Sequence, residues 1–238
     1  MGFIRFLGYN KVCMKTAILF SGGKDSTMAL YWCLQNDYTV KYLVSAFPAN
    51  PDSMLFHTSN IDLVRLIAEA VGIELVEVHV KSTEDIGESK ELKDALKNLE
   101  IDALAVGGVS SNYQGKIFGK MAQELGCELI APYWNAPHED LIKESIDAGF
   151  KILFTSVSAD GLDKSWLGKE LNSETFEELK QLCEKFRINI GGEGGEYCTT
   201  VIDGPIFKKR INVIESEKQW AGLSGKYIIK KAELVEKN

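Results

Sequence analysis

The chain has 238 residues, of which 45% are hydrophobic and 26% are charged, and its formal net charge is −7. These values are typical of a globular protein with one large domain or two small ones. The acidic balance argues against a broad nucleic-acid-binding face, and no segment is apolar for long enough to predict a membrane span or a secretory signal. Five widely spaced cysteines are typical of free thiols in a reducing compartment, so we expect a cytoplasmic protein that binds neither a membrane nor, directly, a nucleic acid.

Predicted strands and helices alternate along the first part of the chain, after an N-terminal stretch of 13 residues that we expect to contribute little. Strands are predicted at residues 17–20, 39–47, 73–80, 101–106 and 128–131, and helices at 25–34, 60–71, 88–99 and 116–125. This alternation predicts right-handed βαβ units. We therefore expect an α/β, Rossmann-like fold over residues 14–131, with a parallel sheet and helices on both faces.

The second part of the chain, residues 132–238, begins in the same style and then changes character. A helix is predicted at residues 137–148, a strand at 150–157 and a helix at 175–186. Glycine and proline then separate short strands at residues 197–202, 206–214 and 227–234. We expect a smaller C-terminal α+β domain that binds substrate and packs on the first domain with a cleft between them.

The segment SGGKDS, Ser21 to Ser26, follows the first predicted strand and leads into the first helix. A strand, a glycine turn and a helix N-terminus together present backbone N–H groups and the positive end of a helix dipole to an anion. The glycine spacing of a Walker A loop is missing. The segment instead resembles the PP-loop of the ATP pyrophosphatase families, which cleave ATP between the α and β phosphates. That resemblance implies a Rossmann-like sheet of the HUP type and a site for ATP on the residues Ser21, Gly22, Gly23, Lys24, Asp25 and Ser26.

The residue types of this segment suit phosphate chemistry. Glycine lets the backbone approach phosphates closely, the two serines can donate hydrogen bonds, and Lys24 can neutralise developing charge. Asp25 either caps the helix or holds the Mg²⁺ ion that accompanies ATP. We assign Lys24 and Asp25 to catalysis, and Asp25 also to the metal. The alternative is an ordinary glycine turn before a helix.

Other candidate residues follow the predicted strands, whose carboxyl ends meet at one edge of a parallel sheet. Gly107 and Gly108 follow the fourth strand, and without a Cβ they would admit the adenosine or the α-phosphate. His57 follows the second strand and is either a nucleotide ligand or a structural hydrogen bonder. Three residues beyond the glycine pair are expected on the substrate side: Ser111, Tyr113 and Gln114.

A second glycine-rich segment, GGEGGEYC, begins at residue 191. It carries Glu193 and Glu196 on either side of Gly194 and Gly195. A flexible backbone that brings two carboxylates into a cleft suits binding of a cationic substrate or deprotonation of an attacking amine. We assign the glutamates to catalysis and the two glycines to substrate binding. If the carboxylates lie close together, one of them becomes harder to ionise. The alternative is a solvated loop.

Five motifs in this order, SGGKDS, VGGVSSNYQ, LIAPYW, SADGLDKSWLGKEL and EGGEYCTTVIDGPIF, resemble the diphthine–ammonia ligase family, also called diphthamide synthetase. The match runs from about residue 15 to the C-terminus and resembles the short form, without the extra C-terminal domains expected of eukaryotic members. The resemblance implies a ligase that uses ATP and ammonium to convert diphthine on elongation factor 2 to diphthamide. The reaction runs through an acyl adenylate and releases AMP and pyrophosphate.

The resemblance also implies substrate-binding roles for three residues of the GLDKSWLG block: Asp160, Asp163 and Trp166. Asp163 can equally be a helix cap and Trp166 a core residue. Family members commonly have EGGEYET or EGGEFET, and Cys198 stands here in place of the third glutamate. Two other functions stay open: a PP-loop tRNA-modifying enzyme of the thiolation or lysidine type, and an ATP-binding sensor without turnover. The sequence leaves the oligomeric state open, and a homo-oligomer is one alternative.

Overall fold

A computed structural model describes residues 14–237, with the exception of residues 51–52, 54–55, 57–59 and 109–111 and the side chains of residues 112 and 113. Two sheets organise the chain, a five-stranded one and a four-stranded one. None of the described helices is both long and apolar enough to cross a membrane.

The first sheet is parallel throughout and confirms the predicted α/β class. Its strands are β1 (Lys15–Leu19), β2 (Thr39–Pro48), β3 (Glu74–Val80), β4 (Ala103–Ala105) and β5 (Glu128–Ile130). The spatial order is β3-β2-β1-β4-β5, so the direction of winding reverses at β1. In open α/β sheets, ligands bind beyond the carboxyl ends of the strands at this switch point.

Helices cover both faces of this sheet, as predicted. They are α1 (Lys24–Gln35), α2 (Leu63–Val71), α3 (Asp85–Leu96) and α4 (Asn112–Leu125). Neighbouring residues of β1 point to opposite faces, and each belongs to a different core cluster. Ile18 packs in the cluster that includes α1 and α2, whereas Ala17 packs in the cluster that includes α3 and α4.

Helix α2 begins three residues after the predicted start, because the backbone of Asn60 is not helical and its side chain bonds to the second sheet. The side chain of Asn60 donates a hydrogen bond to the carbonyl oxygen of Tyr227 (2.7 Å) and accepts one from the amide of Ile229 (2.9 Å). Asn60 has φ 54°, in the left-handed region that asparagine tolerates better than most residues. This residue therefore ties the entry of α2 to the second sheet.

The second sheet is antiparallel, with the order β7-β6-β9-β8. Its strands are β6 (Lys151–Val157), β7 (Tyr197–Asp203), β8 (Lys209–Ala221) and β9 (Ser224–Glu236). This part of the chain also forms the helices α5 (His138–Asp147) and α6 (Ser173–Phe186). A 3-10 helix spans Lys164–Trp166. The β8–β9 hairpin is longer than we predict from the sequence. The predicted boundary between residues 131 and 132 falls in the connection between β5 and α5 and stays a prediction.

Candidate functional site

A cavity of about 350 Å³ opens at the carboxyl ends of β1, β2 and β4. It brings together residues from all three predicted segments, namely the loop after β1, the end of β4 and the glycine-rich segment before β7. The predicted site residues that line it are Ser21, Gly23, Lys24, Asp25, Ser26, Gly107, Gly108, Gln114, Glu193 and Gly195. The position coincides with the switch point of the first sheet.

Two serine hydroxyls close the loop between β1 and α1 on itself. Ser26 Oγ donates to the carbonyl oxygen of Gly23 (3.2 Å) and accepts from the amide of Ser21 (3.3 Å), and the two hydroxyl oxygens lie 3.2 Å apart. Helix α1 begins at Lys24, and its N-cap residue is Gly23, which has no side chain to cap the helix. Of the two roles open to Asp25, helix capping is therefore not observed. The arrangement leaves the positive end of α1 at the cavity, where phosphate is favourable.

Lys24 is buried and connects this loop to the glycine-rich segment. Its Nζ donates to the carbonyl oxygen of Gly191 (2.6 Å) and to both carboxylate oxygens of Asp25 (3.0 Å each), and it lies 5.4 Å from the centre of the Tyr197 ring. Burial lowers the pKa of Lys24, but Asp25, Tyr197 and Glu193 raise it, and the net shift is upward. The ammonium therefore stays charged inside the site.

Strand β7 holds the same loop from the side of the second sheet. The amide of Val201 donates to the carbonyl oxygen of Gly22 (2.9 Å), and the amide of Lys24 donates to Thr199 Oγ1 (3.1 Å). Gly22 has φ 75°, and a Cβ on Gly23 would lie 3.2 Å from the carbonyl oxygen of Thr199. Gly22 thus suits its backbone conformation, and a side chain at Gly23 would require β7 to give way by a few tenths of an ångström.

Gly107 allows the end of β4 to pack directly on the start of α1. A Cβ on Gly107 would lie 2.5 Å from the carbonyl carbon of Asp25 and 2.5 Å from the amide nitrogen of Ser26. The space that we expect a nucleotide to occupy above this glycine is thus partly filled by the backbone of α1. Gly108 is more open, because its nearest neighbour would be Gln114 Oε1 at 3.4 Å.

The two glutamates of the glycine-rich segment have different surroundings. Glu193 lines the cavity. Glu196 turns into its own segment, where Oε1 accepts a hydrogen bond from the amide of Asn189 (3.2 Å) and Oε2 accepts one from the amide of Gly194 (2.8 Å). Its carboxylate therefore holds the turn that carries Glu193, and neither Glu196 nor Gly194 lines the cavity.

The described structure does not bring the GLDKSWLG block into the cavity. Asp163 Oδ1 accepts a hydrogen bond from the amide of Ser165 (2.8 Å) at the start of the 3-10 helix, and hydrogen bonds from Ser165 lower the pKa of Asp163. Trp166 is 5% exposed and packs edge-on against Phe154, with ring centres 5.1 Å apart. Asp160 is exposed. The substrate contacts of these three residues stay a prediction.

Three of the predicted site residues cannot be placed in the site. His57 and Ser111 lie outside the described residues, and the side chain of Tyr113 does as well. Sequence reasoning missed other residues that line the cavity, including Ser53, Phe56, Tyr197 and Thr199. The alternation along β7 was an available signal for the last two, because residues two apart in a strand share a face.

Comparison with known proteins gives matches over nearly the whole described chain. A family model for the diphthamide synthase N-terminal domain matches residues 14–129, and one for the diphthamide synthase C-terminal domain matches residues 137–235. A protein of Danio rerio named diphthine–ammonia ligase is 33% identical over 226 residues, which cover 86% of this chain and 88% of the relative. A Homo sapiens protein of the same name is 31% identical and covers 86% of this chain and 84% of the relative.

A longer relative with the same name occurs in Schizosaccharomyces pombe. It is 30% identical to this chain, and the match covers 86% of this chain but 37% of the relative. The extra length expected of eukaryotic members is therefore present in the Schizosaccharomyces pombe relative, whereas the expectation is wrong for the two vertebrate relatives, of which the match covers most.

Proposed function

The chain belongs to the diphthamide synthase family, and from that premise we propose that it is an ATP-dependent diphthine–ammonia ligase. The enzyme joins ammonia to the carboxyl group of diphthine on elongation factor 2, forms a C–N bond and releases AMP and pyrophosphate. One observation carries the proposal: residues of the loop Ser21 to Ser26, called the phosphate loop below, line a single cavity with Gly107 and Glu193 at the carboxyl ends of parallel strands. Such a cavity can hold a nucleotide and its acceptor together.

The first step activates the acceptor. An oxygen of the diphthine carboxylate attacks the α-phosphorus of ATP, and the bond between that phosphorus and the oxygen that leads to the β-phosphate breaks. Negative charge then develops on the departing pyrophosphate. We assign the stabilisation of this charge to the N-terminus of α1, to the hydroxyls of Ser21 and Ser26 and to the ammonium of Lys24, because these residues line the cavity.

The second step forms the amide. The lone pair of ammonia attacks the acyl carbon of the adenylate, the bond from that carbon to the AMP oxygen breaks, and the nitrogen releases a proton to solvent as the amide forms. Ammonium must first lose a proton, and we assign this proton to Glu193 because it lines the cavity. Glu196 acts indirectly, since both of its carboxylate oxygens accept hydrogen bonds from backbone amides of the segment that carries Glu193.

Asp25 is the residue that fits the Mg²⁺ ion expected with ATP. It lines the cavity beside the phosphate loop, and 34% of its side chain is exposed. Within the part of the chain that the structure describes, no group of three or more His, Cys, Asp or Glu side chains is placed to hold a metal. One carboxylate with the nucleotide phosphates is a usual Mg²⁺ site. When bound, the ion neutralises phosphate charge.

The protein partner that this reaction needs is elongation factor 2 bearing diphthine, and the second substrate is ammonium. We place the reaction in the cytoplasm, because the substrate is a translation factor. A homo-oligomer stays an open alternative.

Turnover with the protein substrate tests the proposal. The chain is incubated with ATP, ammonium and elongation factor 2 that bears diphthine, and AMP, pyrophosphate and the mass of the modified peptide are followed. We expect AMP and pyrophosphate in step with conversion of the acid to the amide. The control is the same factor with an unmodified histidine, which should give neither product. ADP and orthophosphate as products would contradict the proposal.

The same experiment separates the two other functions considered from the sequence. A tRNA-modifying enzyme would release AMP with tRNA and not with elongation factor 2, and a sensor would keep ATP intact in both mixtures. No contact among the described residues favours either function over the ligase.

A further inference from the structure

Ser158, the first residue of the motif SADGLDKSWLGKEL, bonds directly to the glycine-rich segment. It follows the last residue of β6 and does not itself line the cavity. Its amide donates a hydrogen bond to the carbonyl oxygen of Glu196 (2.8 Å), and its Oγ donates one to the carbonyl oxygen of Gly195 (2.6 Å). One residue of this motif therefore holds two consecutive carbonyl groups of the segment.

Gly195 closes the turn that carries Glu193. The amide of Gly195 donates a hydrogen bond to the carbonyl oxygen of Gly192 (3.1 Å), so Glu193 is the second residue of a four-residue turn. Gly195 has φ 86° and is exposed. A glycine has no side chain to pack, so the position of this turn depends on the hydrogen bonds of its backbone. The bond from Ser158 Oγ is one of them.

Aromatic rings fix the two ends of the segment in a different way. Trp166, from the same motif, packs edge-on against Phe154, and Phe154 packs against Tyr197 with ring centres 5.1 Å apart. The hydroxyl of Tyr197 donates to the carbonyl oxygen of Ile190 (2.5 Å). The residues before and after the glycines are thus anchored in the core, and Ser158 holds the exposed turn between them.

We propose that Ser158 is a positioning residue for Glu193, the carboxylate to which we assign the proton of ammonium. This inference rests on the proposed ligase function, and it gives the motif a role in amide formation that requires no contact with the substrate. Without the hydroxyl, the turn moves and the carboxylate leaves the position from which it takes the proton. The phosphate loop is held by separate hydrogen bonds to β7, so the affinity for ATP does not depend on Ser158.

Ser158→Ala removes the hydroxyl and keeps the backbone amide. Single-turnover kinetics with ATP, ammonium and elongation factor 2 bearing diphthine should show amide formation slowed by about tenfold, as expected for the loss of one hydrogen bond. Calorimetry should show an affinity for ATP within about twofold of the native value. Ser158→Thr restores the hydroxyl, and because Ser158 is exposed, the added methyl group has space. This variant should form the amide at the native rate.

A double-mutant cycle separates positioning of Glu193 from a general structural effect. If the hydroxyl acts through Glu193, Ser158→Ala should cause no further loss of rate in a chain that already carries Glu193→Gln. Ser173→Ala is the matched control and should keep the native rate. Ser173 is an exposed serine at the start of α6. The amide of Leu171, two residues earlier, bonds to Ile152 near the start of β6, at the end of that strand remote from Ser158.

A native rate of amide formation in Ser158→Ala overturns the assignment of Ser158. The same follows if its full loss of rate recurs in the Glu193→Gln chain, if Glu193→Gln itself keeps the native rate, or if Ser173→Ala loses as much. These results leave the ligase proposal intact as long as AMP is released with the protein substrate. Absence of that release would instead overturn the ligase proposal.

Discussion

Replacing Gly107 with alanine tests how the end of β4 sets the geometry of the phosphate loop. The added Cβ would lie 2.5 Å from both the carbonyl carbon of Asp25 and the amide nitrogen of Ser26. That contact is about 1 Å shorter than the roughly 3.5 Å at which unbonded atoms rest, and because both atoms belong to the backbone, neither can rotate away. The start of α1 or the end of β4 must therefore move.

We expect this overpacking to lower the free energy of unfolding by about 1–3 kcal/mol. A shift of this size also displaces the phosphates from the acceptor, so AMP release should fall by about a hundredfold. Urea unfolding followed by circular dichroism gives the free energy, and turnover with elongation factor 2 bearing diphthine gives the rate.

Gly119→Ala is the matched control for this variant. Gly119 lies within α4, and its added Cβ would meet nothing within 4 Å. Alanine should therefore stabilise the chain by about 0.5–1 kcal/mol and leave AMP release unchanged. If Gly107→Ala unfolds at the native urea concentration and turns over at the native rate, the backbone contact between β4 and α1 does not fix the loop.

Three further variants test other contacts of the site and of the second sheet. Lys24→Met keeps the buried hydrocarbon chain but removes the ammonium that donates a hydrogen bond to the glycine-rich segment. The free energy of unfolding should fall by about 1.5–3 kcal/mol, and adenylate formation should be lost. Native values of both quantities would refute this role of Lys24. Glu193→Gln should reduce the rate of amide formation far more than the affinity for ATP, whereas Glu196→Gln should lower both. Single-turnover kinetics measures the rate and calorimetry measures the affinity. The same pair of losses in both variants would contradict the different roles of the two glutamates. Asp163→Asn removes a carboxyl group that accepts hydrogen bonds at the start of the 3-10 helix, and these bonds lower its pKa. The ionised carboxylate therefore stabilises the fold above its ordinary pKa and loses this effect as the pH falls. As the pH falls below about 4, the variant should lose less stability than the native chain. Acid unfolding followed by circular dichroism measures the two losses, and equal losses would mean that this carboxyl does not contribute.

Much of the first sheet could be predicted because its central strands β1 and β4 are largely covered on both faces. A strand of this kind is apolar at every position and is bounded by glycine or polar residues, so it stands out without any knowledge of its neighbours. Ala17 and Ile18 show the reason, since adjacent residues are both fully buried in different core clusters.

The β8–β9 hairpin could not be predicted to its full length. Residues 215–219 read ESEKQ, and all of them are exposed, on both faces of the ribbon. Alternation between buried and exposed positions is the usual signal of a strand, and here it is absent. Cross-strand hydrogen bonding with β9 defines this stretch as strand, and no local pattern reports such pairing.

The candidate site divides in the same way. The phosphate loop and Glu193 were predicted because their residue types state their chemistry and because strand ends meet at one edge of a parallel sheet. The inward turn of Glu196 depends on two backbone amides, and the role of Gly107 depends on the backbone of a helix remote in sequence. Contacts of this kind cannot be predicted from residue type or from the periodicity of apolar residues.

The hydrogen bonds between the phosphate loop and β7 determine when, during synthesis, the chain can first bind nucleotide. The amide of Lys24 and its acceptor on Thr199 are 175 residues apart in the chain. A nascent chain that has completed only its first sheet still lacks the strand that braces this loop. We therefore expect affinity for nucleotide to arise late, after most of the polypeptide has left the ribosome, and closure of so distant a contact to be among the slower events of folding.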